Sequence, residues 1–360
     1  MTQASHPALR TRLVELLGVE HPIVQTGMGW VAGPSLVAAT ANAGGFGILG
    51  AATMDLAELR SAIATVKAAT DRPFGINLRA DQPDAPALVD VLIAERIKVA
   101  SFAMAPRRDL IERLHAGGVL VIPSIGAERH AEKVAELGVD AVLVQGGEGG
   151  GHTGPVATTL LLPQVVDAVG GDLVIIAAGG FFDGRGLVAA LAYGADGIAM
   201  GTRFLLTKEC PVPDAVKAFY LGRSVNDTVV TTRVDGVPHR VLRTPFIDAL
   251  ERSSAPMSLY RAIRNAYEFQ RLSGTRWTAI IREALAMKRE RELTWAQILM
   301  AANTPMLLRA AMVDGDTAKG VMASGQAVGL IDDLPTVAEL IDRIVAQAES
   351  TLGRLATEGG

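Results

Sequence analysis

A chain of 360 residues, nearly half of them hydrophobic, is long enough for one large α/β barrel with additions or for two ordinary domains. Its net charge of -4, with both signs mixed along the sequence, argues against a nucleic-acid surface or a polybasic membrane patch. The one cysteine, Cys210, excludes an intramolecular disulfide framework and a cysteine-rich metal site. Neither a signal-peptide core between Met1 and Arg12 nor an apolar run of membrane-spanning length is present, so a soluble cytoplasmic protein is expected.

Short apolar, β-prone runs recur from the start: Ile23–Thr26, Phe46–Leu49, Phe74–Asn77, Val99–Phe102, Leu120–Pro123, Ala141–Gln145, Val174–Ala177 and Gly197–Met200. Helical patterns lie between them, among them Leu56–Ala69, Asp109–His115, Ala127–Leu137 and Gly184–Tyr193. Strand–helix alternation with strands apolar throughout predicts a parallel sheet, and eight such units predict a closed (β/α)8 TIM barrel. The competing reading is an open doubly wound sheet, whose first turn would carry G-x-G-x-x-G. Here that turn reads Gln25-Thr-Gly-Met-Gly-Trp30. After Phe204 the pattern changes. Thr228–Leu242 reads as strand and turn, Met257–Leu272 and Ile280–Arg291 read as helices, and Trp277 and Trp295 both fall in this part. Residues 208–320 are therefore expected to form an inserted, mainly helical substrate or lid subdomain. Residues 1–207 with 321–355 would form the barrel, closed by a helix at Leu334–Leu352. The segments around Trp277 and Trp295 are either a lid or a contact between two copies of a homodimer.

In a parallel barrel the loops that follow the strands carry the chemistry. The loop after the sixth strand is Gln145-Gly-Gly-Glu-Gly-Gly-Gly-His152-Thr-Gly-Pro155. Its glycines let backbone approach a ligand closely, and His152 can exchange protons near neutral pH. The seventh and eighth strands end in Gly179-Gly180 and Gly201-Thr202, in the two loops where barrels commonly bind phosphate through backbone N–H groups. The plainer reading of those glycines is a tight strand-to-helix turn. Asn77 and Gln145 end apolar strands with amides able to meet the edge of a flat heterocycle, or to close a local turn. Met28 is either a ring-packing side chain or core filler. Glu148 either orients His152 or is a solvated loop charge. Among the other histidines, His130 and His115 read as helix-surface residues, His21 lies on the opposite face, and His239 sits among Arg233, Arg240 and Arg243, where substrate contact is conceivable. No cluster of histidines and carboxylates stands at metal-ligand spacing, so no metal is expected.

The loops Gln25–Trp30, Gln145–Gly154, Ala177–Phe182 and Met200–Phe204, with the late Ser324–Leu330 segment, together resemble the nitronate monooxygenase group of FMN-dependent TIM-barrel enzymes. That group includes the flavin-dependent enoyl-acyl-carrier-protein reductases. More narrowly, Gln145–Leu162, Gly179–Leu187, Val230–Arg243 and Ala301–Leu307 look similar to its branch of CoA-thioester dehydrogenases in actinobacterial steroid C/D-ring catabolism, acting on a hydroxylated methyl-oxo-octahydroindene carboxyl-CoA. The resemblance implies FMN across the barrel mouth. Gly180, Gly201 and Thr202 would hold its phosphate with Gly179 beside them, Met28, Asn77, Gln145, Gly151 and Gln326 would lie against the flavin, and His152 would be the catalytic base. NAD would accept the electrons, and Arg79, Arg107, Arg203, Arg240 and Arg243, with His239, are candidates for the CoA thioester. One departure stands out: many nitronate monooxygenases carry alanine or serine where this chain has Gly149-Gly150. Nitronate oxidation with O2 and enoyl-thioester reduction remain alternatives to dehydrogenation.

Overall fold

A computed structural model of the chain describes residues 6–82, 84–252 and 304–357. The expected helices Met257–Leu272 and Ile280–Arg291, and the residues Trp277 and Trp295, lie outside that set.

Eight parallel strands close into a barrel: β1 (Ile23–Gln25), β2 (Phe46–Gly50), β3 (Gly75–Leu78), β4 (Val99–Phe102), β5 (Leu120–Ile125), β6 (Ala141–Gln145), β8 (Val174–Ala178) and β9 (Gly197–Met200). β1 pairs with both β2 and β9, which completes the ring. Every strand foreseen from the sequence is present, with ends shifted by at most two residues. β7 (Gly151–His152) is not a barrel strand. It pairs antiparallel with β11 (His239–Leu242), and β11 pairs with β10 (Thr228–Thr231), forming a small sheet over the mouth.

The helices in chain order are α1 (Arg12–Leu17), α2 (Pro34–Asn42), α3 (Leu56–Ala69), α4 (Ala85–Ala94), α5 (Arg108–Ala116), α6 (Glu128–Glu136), α7 (Thr158–Val169), α8 (Gly184–Ala192), α9 (Thr202–Leu205), α10 (Asp214–Leu221), α11 (Pro245–Glu251), α12 (Thr304–Met312) and α13 (Val337–Thr357). The local logic is plain in α3. Asp55 accepts from the Ala57 and Glu58 amides while Glu58 reaches back to the Asp55 amide, a reciprocal cap. Leu59, Ala62, Ile63 and Val66, at helical spacing, are its buried face.

Alternation along the strands divides two apolar layers. Val24, Phe46, Ile48, Val99, Ile122, Leu143, Ile176 and Ala199 pack together inside the barrel, and Leu13 and Leu17 of α1 join them from the N-terminal end. Ile23, Leu49, Ile76, Val121, Val142, Ile175 and Ile198 face the helical ring. Arg12 clamps this end shut by donating to both oxygens of Asp196, at 2.9 and 2.8 Å. The same alternation carried to the C-terminal ends of the strands turns Asn77, Ser101, Ser124 and Gln145 inward. The lumen thus changes from apolar to polar just below the mouth.

Candidate functional site

The glycine loop is built around Gln145. Its Nε2 donates to the His152 carbonyl at 2.8 Å and to the Gly150 carbonyl at 3.3 Å. A Cβ on residue 149 would lie 2.6 Å from that same nitrogen, so glycine there is what lets the amide fold beneath the loop. A Cβ on residue 150 would lie 2.5 Å from the Gly325 nitrogen, because the late segment passes directly against the loop. The departure Gly149-Gly150 therefore has a steric reason within this chain. Gly151 has φ +74°, a conformation that favours glycine, and among the described residues beyond its chain neighbours no atom lies within 4 Å of where its Cβ would be. The Gln326 backbone amide donates to the Glu148 carbonyl at 2.9 Å, which ties the half-buried Gln326 to the loop.

Glu148 does not orient His152, and it is not a free loop charge. Its carboxylate accepts from the Thr158 amide at 2.9 Å and from the Thr158 hydroxyl at 2.7 Å, capping α7 from outside the helix.

His152 is held from the opposite side. Its ring is more than half exposed, and Nε2 lies 2.6 Å from Oδ2 of Asp235, a carboxylate that is 8% exposed. Oδ1 of Asp235 accepts from the Val237 amide at 3.1 Å, which fixes the carboxylate's orientation. His239 is buried opposite His152 in the β7–β11 pairing. Its Nδ1 stands 3.5 Å from the same Oδ2, an ion-pair distance without hydrogen-bond alignment, and the two rings are 4.7 Å apart. Burial works against the Asp235 anion, but the hydrogen bond from His152 and the neighbouring His239 outweigh it and hold the carboxyl well below the usual carboxylate range. Asp235 was not among the residues singled out from sequence. Its one local signal is the Asp235-Gly236 turn four residues before His239. The 83 residues separating it from His152 conceal the contact.

These three groups also correct the expectation that no histidines and carboxylates stand at metal-ligand spacing: their ligand atoms all lie within 4.8 Å of one another. The 2.6 Å separation is that of a hydrogen bond, with a proton between the atoms. Two ligands of a tetrahedral zinc, with bonds of about 2.0 Å, would stand about 3.3 Å apart.

Of the anticipated flavin contacts, Asn77 lies in the polar layer and donates to Ser101 Oγ at 3.3 Å. Ser101, buried on β4, went unremarked in the sequence although strand alternation places it beside Asn77. Gly179 and Gly180 have φ +94° and +82°. Thr202 Oγ1 accepts from the Gly325 amide at 3.0 Å, which leaves its proton for an anion. A Cβ on Gly201 would meet Met28 Sδ at 3.2 Å, so the first and last barrel loops converge.

The candidate arginines are engaged within the protein. Arg203 is buried and donates to the Asp333 carboxylate and to the Leu206 and Asp333 carbonyls, a strut rather than a free cation. Arg240 donates twice to the Gly147 carbonyl, at 3.0 and 2.8 Å, and once to Thr228 Oγ1, clamping the hairpin onto the glycine loop. Arg79 pairs with Asp81, Arg107 with Asp109 and Arg243 with Asp248, the last two at the surface.

No helix among the described residues is long and apolar enough to cross a membrane. The family model for nitronate monooxygenase matches residues 10–88 and 87–347. A (3aS,4S,5R,7aS)-5-hydroxy-7a-methyl-1-oxo-octahydro-1H-indene-4-carboxyl-CoA dehydrogenase from Rhodococcus jostii strain RHA1 is 63% identical over 340 residues, covering 94% of this chain and 96% of that protein. Its namesake from Mycobacterium tuberculosis is 62% identical over 341 residues, with the same coverage. Among solved structures, FabK from Thermotoga maritima superposes with a TM-score of 0.80 at 35% identity, covering 97% of this chain and 99% of that one.

Proposed function

Because the chain belongs to the nitronate monooxygenase family, we propose that it is an FMN-dependent dehydrogenase of a hydroxylated methyl-oxo-octahydroindene carboxyl-CoA thioester. That it is an oxidoreductase follows from the relatives' names together with the family. The substrate is taken from the two dehydrogenases, whose similarity runs through nearly the whole chain. The carrying observation is His152, exposed on one side and anchored on the other to the buried Asp235, above the polar end of the lumen.

The residues present suit FMN. The left-handed Gly179 and Gly180, with Gly201 and the free proton of Thr202, suit a phosphate. Asn77, Ser101 and Gln145 offer polar partners to a flat ring system, and Met28, Gly151 and Gln326 border the same space. Bound FMN would supply the acceptor for a hydride leaving Cβ of the thioester, with NAD⁺ as the final oxidant. His152 takes the proton from Cα, which the neighbouring thioester carbonyl makes acidic, and backbone N–H groups of the glycine loop support the enolate oxygen. The hairpin of Thr228–Leu242, lying over the mouth, is the substrate-facing part among the described residues.

The test is anaerobic mixing of the purified protein with the thioester. Bleaching of a yellow protein, reversed by NAD⁺, is the expected result. Indifference to the thioester with oxygen uptake on alkyl nitronates would instead assign a nitronate monooxygenase, and oxidation of NAD(P)H by an enoyl thioester alone would assign a reductase.

A further inference from the structure

The barrel supplies His152, but the group that holds it comes from the hairpin of the inserted region. β11 pairs with β7, placing His239 opposite His152, and the turn before β11 brings Asp235 up to the imidazole edge. The carboxylate cannot swing freely: Oδ1 is occupied by the Val237 amide, and the Gly236 amide donates to the Thr232 carbonyl at 2.9 Å, so Oδ2 is fixed toward the two rings. A buried carboxylate with its second oxygen aimed at an imidazole nitrogen selects the tautomer bearing hydrogen on that nitrogen.

We propose that Asp235 is the positioning residue of this site, holding Nε2–H of His152 so that Nδ1 is the nitrogen that accepts the substrate proton, with the buried His239 backing both. The proposal rests on His152 being the base. The step balances simply. The Cα–H bond breaks, its proton goes to Nδ1, its electron pair becomes the Cα–Cβ π bond as the Cβ hydride leaves to the flavin, and the Asp235 carboxylate stays ionised against the imidazolium so formed. The other charged groups near the ring are turned elsewhere: Arg240 to the Gly147 carbonyl and Glu148 to Thr158. Among the described residues, the anion facing the imidazole is therefore Asp235. The substrate-facing hairpin thereby sets the readiness of the base, and a loosened hairpin would slow proton transfer without removing the histidine.

The experiment has two arms on the full-length holoprotein. Nitrogen-15 NMR of the imidazoles, without substrate, should find neutral His152 protonated on Nε2. With the thioester, Asp235→Asn should lower kcat roughly 10–100-fold with KM changed little, and be partly rescued by Asp235→Glu. A wild-type His152 protonated on Nδ1, or a kcat unmoved by Asp235→Asn, would overturn the proposal. The first arm needs neither thioester nor turnover, so failure of the substrate assignment reads separately, and the wild-type tautomer decides even where the variant does not fold.

Discussion

Gly150 and Gly151 are neighbours in the chain, yet a side chain at each would meet a different obstacle. At 150 it would press on the backbone of Ser324 and Gly325, and neither strand of chain can yield cheaply. At 151 it would enter open space but on a backbone with φ +74°. Gly150→Ala should therefore cost about 1–3 kcal/mol of overpacking and separate the late segment from the loop. Gly151→Ala should cost about 1 kcal/mol of strain. Because the space beside Gly151 is where the flavin is proposed to lie, Gly151→Ala should lose bound flavin out of proportion to its stability. Flavin absorbance per protein, set against the apoprotein melting temperature of each variant, measures the two effects separately. At this scale the sequence was a partial guide. His152, Gln145 and the glycines announce themselves through composition around a strand end. Asp235 does not, since its role arises only when a hairpin from another part of the chain pairs with β7. For Arg203 and Arg240 the sequence could not choose, for a related reason: guanidinium groups suit phosphates and carbonyls alike, and only the fold brings Asp333 and the Gly147 carbonyl within reach.

Between elements, the contact that matters most is the hairpin β10–β11 lying on the glycine loop. Backbone pairing joins only two residues of β7 to β11, too little to fix the hairpin alone. Arg240 supplies the rest with its fork on the Gly147 carbonyl, in a setting where burial pulls its pKa down and Glu148 opposes that pull. A lysine cannot reproduce the two parallel donors. Arg240→Lys should faster exchange the amides of Gly149, Gly151 and His152 with solvent deuterium, lower stability by about 1–2 kcal/mol, and reduce kcat more than flavin content. Exchange confined to the loop would identify the clamp as local, whereas unchanged protection would remove it from the account. The barrel strands, by contrast, were legible from the sequence because each is apolar on both faces and bounded by turn residues. The hairpin's docking partner was not, because antiparallel pairing with a two-residue strand leaves no periodic signal.

At the scale of the whole molecule the two ends of the barrel differ: the proposed chemistry lies at the C-terminal mouth, and closure lies at the N-terminal base. His21 lies at the base, half-buried, and burial lowers its pKa despite the opposing pull of Glu20, Asp342 and Glu349. The unfolded chain binds a proton there at about pH 6.5 and the folded chain only at lower pH. Stability should thus be full above that value and fall as the pH drops below it, levelling off beneath the folded pKa. His21→Gln should flatten that part of the acid denaturation curve. The base is also where α1 seals the lumen, with Leu13 fully buried against the interior strands and its Cδ2 only 2.5 Å from where a Cβ on Gly197 would be. Leu13→Ala leaves a cavity beneath a floor of β-strands that cannot collapse to fill it, so the loss should be about 2–5 kcal/mol. The mouth lies at the other end of the strands, and the apolar layers of Ile48, Leu143 and Ile176 stand between. The variant should therefore melt lower while keeping flavin content, kcat and KM at working temperature. A fall in kcat matching the fall in stability would mean that base and mouth are coupled through the barrel, and that the order of the polar layer at Asn77, Ser101 and Gln145 depends on the packing beneath it.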